Sequence, residues 1–119
     1  MHPPYKRHIR VADLLKKEIA EIVLNQIQDP RISFVSITDV EVTSDLKLAR
    51  VYFSVLDSLK EQETLKVLTH SKGFIKRELA RRVTLKFLPD LVFKIDESVQ
   101  YGRKIDKILQ EIKEKAIDT

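Results

Sequence analysis

Ser71-Lys72-Gly73-Phe74-Ile75-Lys76-Arg77-Glu78-Leu79-Ala80-Arg81-Arg82-Val83 is the stretch on which the fold turns. Ile75, Leu79 and Val83 recur every four residues, the spacing of a helix that buries one stripe. Upstream, Leu65 and Leu68 mark the buried face of another helical region. It begins near Lys60 or Glu61 and is capped by Asp57-Ser58. Gly73 falls between the two stripes. An interior glycine costs a helix about 1 kcal/mol relative to alanine, so Ser71-Lys72-Gly73 reads as a kink or a two-helix junction.

Working outward, residues 7–28 carry Val11, Leu15, Ile19, Ile22, Val23 and Ile27 on one helical face, and Asp29-Pro30 ends that helix. Two strand-like runs follow. In Phe34 to Val42 the alternation slips, with Val35 and Ile37 in one phase and Val40 and Val42 in the other, which either a β-bulge near Thr38-Asp39 or a strand apolar on both faces would explain. Ala49, Val51, Phe53 and Val55 alternate cleanly, and the turn-like residues 43–47 predict an antiparallel hairpin. After Pro89-Asp90, Leu91, Phe93 and Ile95 form a third strand, and Ile105, Ile108, Leu109 and Ile112 a C-terminal helix. The order α-β-β-α-kink-α-β-α with a three-stranded sheet is that of a two-layer α+β sandwich. Phe34, Phe53, Phe87 and Phe93 are expected in its core, whereas Phe74 and Tyr52 are the aromatics expected at the surface.

The 119 residues suit one domain, with residues 1–5 as a flexible leader and 114–119 as a frayed tail. The absence of cysteine excludes disulfides and thiolate chemistry. No apolar run approaches the roughly 18 residues of a membrane span, and the start has no apolar signal core, so a cytoplasmic protein without a membrane partner is expected. His2, His8 and His70 make no metal-ligand pattern, and glycines at 73 and 102 alone exclude a phosphate-cradling loop. The acidic clusters Ser44-Asp45, Asp57 and Asp96-Glu97 fall at turns and helix starts, where such residues cap. No catalytic residue, metal, cofactor or small-molecule substrate is indicated.

Charge gives the positive signal. Between Lys72 and Lys86 six basic residues, Lys72, Lys76, Arg77, Arg81, Arg82 and Lys86, face Glu78 alone, in a chain whose net charge is +4. Lys76, Arg77 and Arg81 fan over the side away from the apolar stripe, with Ala80 between them and Arg82 nearer the buried edge. Some of these cations complement the helix dipole, but so dense a cluster points to an anionic polymer. Lys6, Arg7 and Arg10 extend that surface or form a solvated arm. Backbone and shape recognition is favoured over base readout. A DNA-binding protein and a module for an acidic protein partner are the rival readings.

Taken together, the chain resembles the ribosome-binding factor A family, bacterial ribosome-assembly factors, over nearly its whole length. The landmarks are Arg10-Val11-Ala12, Glu18-Ile19, Asp29-Pro30-Arg31, the runs 34–42 and 49–56, Ser44-Asp45-Leu46, Lys72-Gly73-Phe74-Ile75-Lys76-Arg77-Glu78-Leu79, Pro89-Asp90-Leu91-Val92-Phe93, Asp96-Glu97-Ser98 and Tyr101-Gly102. The resemblance implies a type II KH-like fold in which a helix-kink-helix with an Ala-x-Gly signature replaces the GxxG loop. Here that tripeptide is Ser71-Lys72-Gly73, with serine at its first position. It also implies a monomer that binds free small ribosomal subunits near the decoding region, assists late 16S rRNA maturation, and is linked to cold adaptation. Lys72, Gly73, Lys76, Arg77, Arg81 and Arg82 would then contact rRNA. The long basic C-terminal extension of the family is not expected in this chain.

Overall fold

The computed structural model describes residues 6–32, 34–98 and 107–114, with the backbone alone at Lys6. The leader, Ile105 of the C-terminal stripe and the tail from 115 lie outside those residues.

Helix α1, Lys6–Gln26, is free of glycine and proline, and its stripe of Val11, Leu15, Ile19, Ile22 and Val23 is buried. Past its end, the Asp29 carboxylate accepts hydrogen bonds from the backbone N–H and guanidinium of Arg31. Those bonds, the side-chain one first, hold the Asp29 carboxyl at about 2.

Strands β1, Val35–Val42, and β2, Leu48–Val55, pair antiparallel. The bulge is present: Ile37 sits opposite Phe53 and Asp39 opposite Tyr52, so Thr38 has no opposite number. That extra residue flips the pleat and lets Ile37, Val40 and Val42 all face the core. In the intervening turn Leu46 adopts a left-handed backbone, φ 62°. A leucine there costs on the order of 1 kcal/mol, and its side chain offsets this by packing against the core.

A short 3₁₀ turn, Ser58–Lys60, is capped by the Asp57 carboxylate, which accepts the Leu59 N–H. It leads into α2, Glu61–His70, then α3, Lys72–Arg82. These two helices make the crossover that a parallel connection needs, because β3, Asp90–Ile95, pairs parallel with β2. The sheet order is β1-β2-β3. One core cluster joins α1, the sheet and the α2-α3 pair, with Leu15, Phe53, Leu68, Ile75 and Leu79 fully buried.

Three aromatic expectations are corrected. Phe34 is 73% and Phe87 78% exposed, whereas Phe53 and Phe93 are buried. Phe34 stands just outside β1 and Phe87 in the loop after α3, where among the described residues no facing element covers either ring. Phe74, expected at the surface, packs partly against the core. Finally, residues 107–114 are helical, but Ile108, Leu109 and Ile112 are exposed instead of packed.

Candidate nucleic-acid interface

The helix break falls at Ser71, φ −85° and ψ 2°. Its N–H donates to the carbonyls of Val67 and Leu68, closing α2, and its carbonyl accepts from Ile75 at 3.0 Å, opening α3. Because Leu68 and Ile75 anchor both sides of the junction in the core, the opposite sides of Lys72, Gly73 and Lys76 are turned outward. Gly73 is the second residue of α3, and its φ is not positive. A Cβ built there would meet only the Arg77 guanidinium, at 3.6 Å. The backbone bend does not need the glycine. Its absent side chain instead leaves a bare spot beside the first-turn N–H groups, donors that lack acceptors within their own helix.

Around that spot the cations differ in how they are engaged. Lys72 and Lys76 both lie near the Asp90 carboxylate, at 3.5 and 3.6 Å. Desolvation pushes the Asp90 carboxyl up, but the Lys72 charge, the Leu91 N–H and the Lys76 charge outweigh it and hold it below its ordinary value. Arg81 touches Glu78 at 3.2 Å yet keeps a 78% exposed side chain. Among the described residues, Arg77 has no ion-pair partner. Arg82 turns the other way, to Glu18 and Glu21 of α1 at 3.2 and 3.1 Å. Lys86 lies past the end of α3, its ammonium 5.8 Å from the centre of the Phe87 ring.

Arg7 and Arg10 are exposed on the first turns of α1. A groove between His8, Ala12 and residues 39–42 places that helix start at the β1 end near Val42. Val42 pairs with Ala49, and Ala49 with Leu91 beside Asp90. The starts of α1 and α3 therefore share one end of the sheet. The Lys6 side chain lies outside the described residues. Asp90, Glu18 and Glu21 are the charged partners that helical spacing within α3 does not reveal, since they arrive from other elements.

The antiparallel hairpin, the two-helix crossover broken at a small residue, and the parallel third strand define a small α+β protein of the type II KH-like class. The sequence model of ribosome-binding factor A matches residues 7–109, and the chain belongs to that family. It is 47% identical to the ribosome-binding factor A of Thermodesulfovibrio yellowstonii, over 92% of this chain and 93% of that protein. The crystal structure of ribosome-binding factor A from Thermus thermophilus is similar with a TM-score of 0.68 at 26% identity, covering 74% of this chain and 93% of that one. Also similar is a homology model of the Thermus thermophilus factor fitted into the cryo-EM map of a 30S complex, with a TM-score of 0.63 at 27% identity and coverage of 72% and 91%.

Proposed function

We propose that this chain is a non-catalytic assembly factor, a single KH-like RNA-binding domain that binds the free small ribosomal subunit in the cytoplasm. It would act as a monomer and assist late 16S rRNA maturation by holding immature RNA in one conformation. The observation that carries this reading is the outward face at the start of α3. There Lys72, Lys76 and Arg77 surround the bare Gly73, and among the described residues Asp90, paired with the two lysines, is the one carboxylate that engages them. The related factor fitted in a 30S complex supports the choice of partner.

Arg81 adds a cation whose i,i+3 ion pair, being exposed, holds it only weakly. Arg7 and Arg10, at the same end of the sheet, extend the charged surface, with Lys6 leading into it. Arg82 contributes by fixing α3 on α1, so that the face is presented rigidly. Lys86 and the exposed Phe87 ring lie three to four residues before Asp90 and offer a cation with a stacking surface.

The test is the salt dependence of binding to purified small subunits. Neutralising about four phosphates gives log K a slope of about −3 to −4 against log[salt]. A slope near zero, or equal binding to intact ribosomes, overturns the proposal.

A further inference from the structure

Between α3 and β3 the chain runs Thr84-Leu85-Lys86-Phe87-Leu88-Pro89. Leu85 and Leu88 pack against the core and Pro89 is fully buried, yet Phe87 among them is 78% exposed. The largest apolar side chain of the loop is the one turned out, and its anchored neighbours hold it there. A single exposed apolar side chain is ordinary on a protein surface, so exposure alone assigns nothing. What sets Phe87 apart from the similarly exposed Phe34 is its surroundings. Phe34 follows a segment whose one arginine, Arg31, is held by Asp29.

Phe87 stands at the basic end of the sheet. It lies three residues before Asp90, at most about 11 Å along the chain, and Asp90 is where Lys72 and Lys76 converge. The Asp90 N–H donates to the Lys47 carbonyl at 2.9 Å, which brings the turn between β1 and β2, with its exposed Lys47, to the same place. The Lys86 ammonium is 5.8 Å from the ring centre. That is the outer limit of a cation–π contact, so little holds the ammonium there when a phosphate approaches. A ring flanked by lysines of the turn, the helix and its own loop offers a π-face for a base and cations for the adjoining phosphates. A duplex keeps its base faces stacked on one another, so it can use the cations but not the ring.

We propose that Phe87, with Lys86 and Lys47, is a stacking platform for an unpaired nucleobase, so that the RNA bound at the start of α3 is single-stranded where it meets the loop between α3 and β3. The platform rests on the RNA-binding reading of the basic face and names the form of RNA that this face takes. Every base has a π-face, so the contact is sequence-tolerant and adds affinity without base readout.

The test uses purified small subunits. Phe87→Ala should weaken binding about tenfold. The slope of log K against log[salt] should stay as in the wild type, because no charge is lost, and the Tm should shift by less than about 3 °C, because the side chain is mostly exposed. Phe87→Leu keeps apolar bulk without a ring and should lose as much, whereas Phe87→Tyr should bind within about twofold of the wild type. Wild-type affinity in the Ala or Leu variant overturns the platform and leaves the RNA-binding reading standing. A wild-type slope near zero overturns that reading, and the platform with it. Lys47→Ala and Lys86→Ala should each lower the slope by about 1, and unchanged slopes overturn their assignment. The chain has no tryptophan, so Phe87→Trp introduces a sole reporter. Its emission should be quenched by an oligouridylate and not by an RNA duplex of the same length. Equal quenching by the duplex, or none by the single strand at saturation, overturns the proposal.

Discussion

At the start of α3 two lysines share one carboxylate, while at its end one arginine is held by two. Lys72 and Lys76 leave Asp90 outnumbered, and Arg77, without an ion-pair partner among the described residues, adds to the excess. Arg82, only 26% exposed at its side chain, is matched by Glu18 and Glu21 and ties the helix to α1. Residues of one charge in one helix thus do two jobs. The first end leaves uncancelled positive charge at the surface, where the proposed function puts the RNA, and the second uses its charge to fix the helix in place. A count of cations along a sequence overstates the charge that a partner meets.

The contrast can be broken most sharply by charge reversal. Arg77→Glu with Arg81→Glu should weaken small-subunit binding about 100-fold while thermal stability stays within about 1 kcal/mol, because neither side chain is buried. A parallel collapse of stability would mean that the outward cations, like Arg82, hold the helix in place. The converse experiment is Arg82→Ala, which leaves Glu18 and Glu21 facing each other. It should destabilise the fold by about 1 kcal/mol, seen as a Tm drop of about 4–8 °C. Binding per folded molecule should change less than about threefold, and a larger loss would move Arg82 into the interface.

Gly73→Ala separates fold from contact at a single atom. The added methyl meets only the Arg77 guanidinium, so helix propensity should raise stability by about 0.5–1 kcal/mol. Binding should nevertheless weaken a few-fold, about 1 kcal/mol, if a phosphate approaches that surface. Unchanged affinity would leave the bare spot without a role.

The smallest expected effect is that of Asp90→Asn. Freeing Lys72 and Lys76 should tighten binding about twofold to threefold at low salt, and the gain should fade as salt screens it. The folded Asp90 carboxyl lies below its ordinary 3.8. Its contribution to stability is therefore present above that value and lost as pH falls through the lower folded one. Acid titration of the Asn variant should lack that part of the decline, and identical curves would show that Asp90 contributes nothing.

Much of this arrangement was legible before any tertiary contact was known. The α1 stripe, the slip in phase near Thr38, the clean alternation of β2 and the break near Ser71 are encoded in spacings of two to four residues, which local backbone geometry imposes. The basic face was legible for the same reason. What Gly73 does was not: its position suggested a hinge, and the structure puts the bend at Ser71 and leaves the glycine as open surface. Phe34 and Phe87 looked like core because aromatic residues beside strands usually are, yet among the described residues no element packs over them.

The sequence by itself determined the elements, their order and which face of each is apolar, since those follow from contacts within one turn or one pleat. Tertiary structure alone decided that β3 runs parallel to β2, that Asp90 meets Lys72 and Lys76, and that Glu18 and Glu21 meet Arg82. Those pairings join residues 14 to 64 positions apart, Asp90 to Lys76 at one extreme and Arg82 to Glu18 at the other. Periodicity carries no information over such separations, so the surviving surface charge is fixed only once the core has brought the helices and strands together.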